Sequence, residues 1–78
     1  MNLVIAKVNE VLYSGDAASV TLPGVEGQLT VLPEHEPLIT TLKEGTITVR
    51  QGAEVPEQTF HILGGVLEVR HDGATVIL

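Results

Sequence analysis

Short runs of alternating apolar and polar residues, each closed off by a turn-forming group, constrain this chain more than any other feature. They are Ser19-Val20-Thr21-Leu22, Gln28-Leu29-Thr30-Val31, Thr46-Ile47-Thr48-Val49-Arg50, Thr59-Phe60-His61-Ile62, Leu67-Glu68-Val69-Arg70 and Thr75-Val76-Ile77. Successive side chains of a strand point to opposite faces, so each run offers one apolar face and one wet face. Val, Ile and Thr dominate the runs, and their branched Cβ suits a pleated surface. The breaks fall at Ser14-Gly15-Asp16, Pro23-Gly24 with Gly27, Lys43-Glu44-Gly45, Gln51-Gly52, Gly64-Gly65 and Asp72-Gly73. Asp72-Gly73 reads as the centre of a two-residue hairpin turn, where positive φ is needed. Gln51 to Gln58, with Gly52 and Pro56, reads as a longer surface loop. The best helix candidate, Glu34 to Glu44, is cut by Pro37 and carries Ile39, Thr40 and Thr41. The expectation is an all-β fold, a two-layer antiparallel β-sandwich or flattened barrel of about 8–10 short strands. Its expected core is Val20, Leu22, Leu29, Val31, Ile47, Val49, Phe60, Ile62, Leu67, Val69 and Ile77.

With 78 residues the chain is expected to form one small domain, residues 1–78, around one core. It has no cysteine, so neither a disulfide framework nor a thiolate metal site is available. Met1-Asn2 opens no pattern of a secretory or transit peptide, and no apolar run approaches the ~20 residues that span a bilayer. Membrane insertion is therefore not expected. Four basic residues stand against ten acidic ones, for a net charge of −6. Nucleic acid is a poor partner for such a surface, as is anionic lipid. A basic protein partner suits it, although the same charge also keeps a small domain soluble.

Residues able to carry chemistry are present but do not converge. His35 lies between Glu34 and Glu36 in a loop bounded by prolines. His61 alternates outward opposite Phe60 and Ile62, and His71 precedes a turn. Three such groups would have to meet at one point to bind a metal. Ser14 and Ser19 lack a base nearby in sequence, and nothing local separates the proton affinities of Glu34 and Glu36. Gly24-Val25-Glu26-Gly27 lacks the Lys-Ser/Thr ending of a phosphate cradle. No catalytic residue, cofactor, metal or small-molecule substrate is expected. What remains is a surface: Leu32, apolar and directed away from Leu29 and Val31, followed by Pro33, the acidic Glu34-His35-Glu36 and Pro37. That loop fits a contact site as well as it fits a solvated crossover.

The order of these residues resembles the N-terminal half of F-type ATP synthase epsilon subunits. The match runs through Tyr13-Ser14-Gly15, Leu22-Pro23-Gly24-Val25-Glu26-Gly27-Gln28-Leu29-Thr30-Val31-Leu32-Pro33, His35-Glu36-Pro37-Leu38, Leu42-Lys43-Glu44-Gly45 and Phe60-His61-Ile62-Leu63-Gly64-Gly65-Val66-Leu67-Glu68-Val69. Two departures stand out. Where the family loop carries Gly and Ala on either side of its His, this chain has Glu34 and Glu36. Where the family continues into a helical hairpin, this sequence stops at Leu78, so the inhibition and nucleotide sensing placed in that hairpin do not carry over.

The resemblance implies a non-catalytic rotor subunit of a proton-translocating ATP synthase. Its sandwich would join the gamma subunit to the c-ring at the foot of the central stalk, peripherally, on the cytoplasmic face of a bacterial plasma membrane. It assigns Glu26, Gly27, Gln28, Leu29 and Thr30 to the c-ring loops. It assigns Leu32, Glu34, His35, Glu36 and Leu38 to the stalk. Ring loops of the family carry a basic residue, and Glu26, Glu34 and Glu36 are the expected complementary charges. Two other readings of the residues stand beside it: a free-standing β-barrel adaptor that binds a partner at a sheet edge, and a cupin-like metalloenzyme using His35, His61 and His71.

Overall fold

The computed structural model describes all residues, 1–78, and contains nine strands and no helix. In chain order they are β1 (Asn2–Lys7), β2 (Glu10–Asp16), β3 (Ser19–Gly24), β4 (Gly27–Val31), β5 (Leu38–Leu42), β6 (Gly45–Arg50), β7 (Gln58–Ile62), β8 (Gly65–Arg70) and β9 (Gly73–Ile77). The expected all-β sandwich is what the chain forms. The strands make one curled sheet in the order β2-β1-β9-β8-β5-β3-β6-β7, with β4 on the other flank of β3. β5 and β3 share the single register pair Gly24–Leu42. Beside it, the Lys43 amide donates to the Pro23 carbonyl at 2.9 Å and the Val25 amide to the Thr41 carbonyl at 3.0 Å. That narrow link is the fold line. On one side lies a layer of β2-β1-β9-β8-β5, and on the other a layer of β4-β3-β6-β7.

Inward side chains of both layers fill one core. Leu3, Ile5, Val20, Leu22, Val31, Ile47, Leu67 and Val76 are wholly inaccessible. Close packing of this kind transmits strain instead of absorbing it. No polar or charged residue is buried. Tyr13, buried at the rim, donates its hydroxyl to the Asp16 carbonyl at 2.6 Å and meets the Phe60 ring edge-on at 6.4 Å.

Four expectations need correction. Ile77 is 53% exposed, and Val76 takes the core position instead. Leu29 and Phe60 point inward but lie on strands at the ends of their layer, so they are half-buried and pack against the core from its margin. Ser14-Gly15-Asp16 is not a turn: it completes β2, and the chain reverses at Ala17-Ala18. The β8–β9 hairpin turns at His71-Asp72, with Arg70 opposite Gly73, so Gly73 is already strand. It has no positive φ. A Cβ at Gly73 would overlap the Asn2 carbonyl oxygen. Glycine is therefore required by the close approach of β1, which pairs with β9 in parallel from Asn2–Gly73 to Ala6–Ile77. The other pairings are antiparallel.

Candidate functional site

Two segments single themselves out along β4, one at each end. At the first end, β3 and β4 form a tight hairpin with Val25-Glu26 at its tip and Gly24 opposite Gly27. Gly27 has φ 131°, a backbone state that side chains with a Cβ rarely take. Glu26, Gly27, Gln28 and Thr30 are exposed, whereas Leu29 turns inward against the core. The hairpin thus offers carboxylate, amide, hydroxyl and bare backbone to a partner, and keeps its leucine for itself.

At the second end, Leu32 to Pro37 crosses from one layer to the other. The His35 amide donates to the Leu32 carbonyl at 3.1 Å, and Glu34 sits at φ 64°. With Pro33 second and a positive φ third, this is the pattern of a type II turn, which favours glycine at its third position. Glu34 occupies that position at a cost of about 1 kcal/mol. The geometry explains why a glycine suits this point of the loop. Leu32 is 55% exposed, Glu34 and Glu36 are exposed, and His35 is half-buried with its Nδ1 2.8 Å from the Glu36 carbonyl oxygen. Leu38 opens β5 and packs against the core.

The charged parts of the two segments do not meet, although Leu38 shares a hollow with Glu26, Gly27, Gln28 and Leu29. β4 separates them by roughly 15 Å at ~3.3 Å per residue. Glu26 therefore belongs to one end of the sandwich and Glu34 with Glu36 to the other, and no single small loop of a partner can engage all three.

The histidines are dispersed as well. His61 lies on the outer face of β7 with Nε2 3.6 Å from Glu44, His71 is in the β8–β9 turn, and His35 is in the loop. No group of three or more His, Cys, Asp or Glu side chains is arranged to hold a metal ion. Where the curl fails to close, between β2 and β7, a hollow of about 540 Å³ is lined largely by Val8, Leu12, Phe60, Ile62, Leu63 and Leu78. Its apolar walls bring no paired acid and base together.

The apolar outer face of one layer is the part that sequence reasoning missed. Across β2-β1-β9-β8, register places Val11, Ala6, Ile77 and Val66 side by side, all outward. Val11 is 61% exposed and Val66 45%. Ile39, 72% exposed, extends this face on β5. Across β4-β3-β6-β7, register places Thr30, Thr21, Thr48 and Thr59 in a corresponding outward row. A usable signal existed in the unbroken apolar runs Leu3-Val4-Ile5-Ala6 and Val76-Ile77, which an ordinary half-wet strand does not carry.

A family model described as "ATP synthase, Delta/Epsilon chain, beta-sandwich domain" matches residues 1–78. The chain is 42% identical over 77 residues to an ATP synthase epsilon chain of Moorella thermoacetica, covering 99% of itself and 57% of that protein. It is 40% identical over 77 residues to ATP synthase epsilon chain 2 of Burkholderia orbicola, covering 99% of itself and 51% of that protein. The chain spans about half the length of the curated relatives it matches. Its fold is shared by a chain in the mitochondrial ATP synthase of Euglena gracilis, with TM-score 0.87 at 22% identity over 96% of this chain and 48% of that one. It is also shared by a chain in the central stalk/c-ring structure of the Tetrahymena thermophila enzyme, with TM-score 0.83 at 17% identity over 97% and 60%.

Proposed function

The chain belongs to the ATP synthase delta/epsilon family as its β-sandwich domain, and from that premise we propose that it is a non-catalytic rotor piece coupling the gamma subunit to the c-ring of a proton-translocating ATP synthase. The observation that carries this reading is the family match over the whole chain, joined to an all-β body around one close-packed core. Rotation must pass through the domain without being absorbed, and a close-packed core with no buried polar group suits that task.

Within this reading the β3–β4 hairpin is the ring contact. Glu26, Gly27, Gln28 and Thr30 form its exposed surface, and Leu29 supports it from the core side. The crossover loop is a stalk contact through Leu32, Glu34, His35 and Glu36, with Leu38 as its anchor. Glu26 can face a basic ring-loop residue. Glu34 and Glu36, at the far end, serve the stalk partner instead. Charges at such a rim act on association rate and register more than on total affinity. The domain would work at a membrane-embedded complex, on the cytoplasmic face of a bacterial plasma membrane.

Reconstitution tests the proposal. The chain added to an epsilon-depleted complex should co-purify with gamma and the c-ring and restore ATP-driven proton pumping. Glu26→Gln should make ring association slower and less sensitive to salt. Failure of the unmodified chain to bind either gamma or the ring removes the rotor reading and leaves the edge-binding adaptor.

A further inference from the structure

We infer that the hollow between the crossover loop and the β6–β7 loop is a docking site for a basic protein segment that carries an aliphatic side chain between lysines or arginines. The hollow has a volume of about 530 Å³ and lies at the end of the sandwich opposite the β3–β4 hairpin. Leu32 from the crossover loop and Val55 from the β6–β7 loop line it, with Ala18 and Ala53. Leu32 is 55% exposed and Val55 47%. Single apolar side chains in water are ordinary, but two from separate loops that meet in one concavity mark a surface awaiting a partner.

The walls are ordered before anything binds. The Val55 amide donates to the Gly52 carbonyl at 3.3 Å, and Pro56 restricts the backbone beside it. Arg50, at the end of β6, pairs with Glu57, next to the start of β7, at 3.1 Å and so ties the ends of the loop together. On the other wall the His35 amide holds the Leu32 carbonyl at 3.1 Å. A preformed site costs its occupant less to enter.

Charge selects that occupant. Glu54 lies between the lining residues Ala53 and Val55, and Glu34 lies two residues beyond Leu32. Neither has an ion-pair partner. The cation of the lining, Arg50, is already engaged by Glu57 and Thr21. Both lysines, Lys7 and Lys43, sit at the opposite end of the sandwich, where β1 and β5 finish. A lysine or arginine of a partner can lay its apolar stem along Leu32 and Val55 while its head reaches Glu34 or Glu54. A second copy of the chain brings a further −6 to an acidic rim, and lipid and nucleic acid bring phosphate. A metal ion finds no group of three acids to hold it. Nothing in this assignment requires the rotor reading: the hollow shares Leu32 and Glu34 with the proposed stalk contact and adds a loop that the contact does not use.

Fluorescence anisotropy of a labelled Lys-Arg-Leu-Lys-Arg peptide, titrated with the full chain at low salt, tests this. Glu34→Gln with Glu54→Gln should weaken binding about fivefold. Leu32→Ser with Val55→Ser should weaken it by about the same factor. All four positions are exposed, so the melts should stay close to that of the unmodified chain. Glu10→Gln, which removes a charge at the opposite end, should leave binding unchanged. No binding of the peptide overturns the inference and leaves the rotor reading, tested by co-purification, in place. Binding that both double variants retain in full places the peptide elsewhere and overturns it too. So does an equal loss from Glu10→Gln, or equal binding of a peptide with glycine in place of leucine, because either reduces the attraction to net charge.

Discussion

The two layers of this sandwich are alike on the inside and opposite on the outside. Inward, each supplies branched aliphatic side chains to a shared core: Val20, Leu22, Ile47 and Val49 from one, Leu3, Ile5, Leu67 and Val76 from the other. Outward, one carries the row Thr30-Thr21-Thr48-Thr59 and the other the row Val11-Ala6-Ile77-Val66. The threonine face is closed on itself: the Thr21 and Thr30 hydroxyls are 3.0 Å apart, and Arg50 donates to Thr21 at 3.2 Å while pairing with Glu57 at 3.1 Å. The row Val11-Ala6-Ile77-Val66 has no polar groups to pair in this way; on its layer such contacts are confined to Arg70, with Thr75 at 2.9 Å and Glu68 at 3.4 Å. Folding stability is decided by the inner faces, which leaves the outer chemistry free to be set by what the domain touches.

This contrast can be tested by substitution. The largest effects belong inside. Leu22→Ala and Leu67→Ala, one from each layer, should each cost about 2–5 kcal/mol. A domain of this size has only about 4–12 kcal/mol in all. Chemical denaturation showing that one layer tolerates its substitution and the other does not would break the symmetry of the interior. Next comes Gly73→Ala, which forces a methyl into the Asn2 carbonyl and should cost about 1–3 kcal/mol. A loss of this size would show that β1 lies too close to β9 for a methyl at Gly73, a constraint that the antiparallel pairs of the threonine layer do not share. The smallest effects belong outside. Thr48→Val and Ile77→Thr, which exchange the character of the two outer faces one residue at a time, should each change stability by no more than about 0.5 kcal/mol. A larger loss from Ile77→Thr would mean that the aliphatic face serves the fold and not a partner.

The same contrast governs how much could be read from the sequence. The threonine layer was legible: β3, β4, β6 and β7 all alternate, because a wet outer face and a dry inner face write a period of two into the chain. In the aliphatic layer only β8 was as legible, its Leu67 and Val69 alternating inward. In β1, Val4 and Ala6 are as apolar as Leu3 and Ile5, so the run shows no alternation. In β9, Val76 and Ile77 are alike as sequence, and only the pairing with β1 and β8 turns Val76 inward. β5 was hidden in a segment read as a failed helix, since Leu38, Ile39 and Leu42 do not alternate cleanly. The missed core residues Leu3, Ile5, Tyr13, Leu42, Ala74 and Val76 come from this layer, and Ala17 from the reversal that follows β2. Of the candidate site, the hairpin at Glu26 and the loop at Glu34 were legible through their glycines and prolines. Their separation to opposite ends of β4 was not, because it depends on strand direction. The role of Gly73 was misread for a related reason: a turn glycine and a close-approach glycine are the same letter, and the close approach is made by a strand about seventy residues away.

That distant pairing has a consequence for biosynthesis. β1 sits between β2 and β9 in the finished sheet, yet it is made about seventy residues before β9. On the ribosome the β1–β2 hairpin can close early, but the flank of β1 that will receive β9 stays open until β9 has been extruded. Contacts at such sequence separation close slowly, and an open apolar strand flank invites pairing with another nascent chain. The interval between the first and last strand is therefore when this protein is most exposed to misassembly, and when a chaperone would have the most to do.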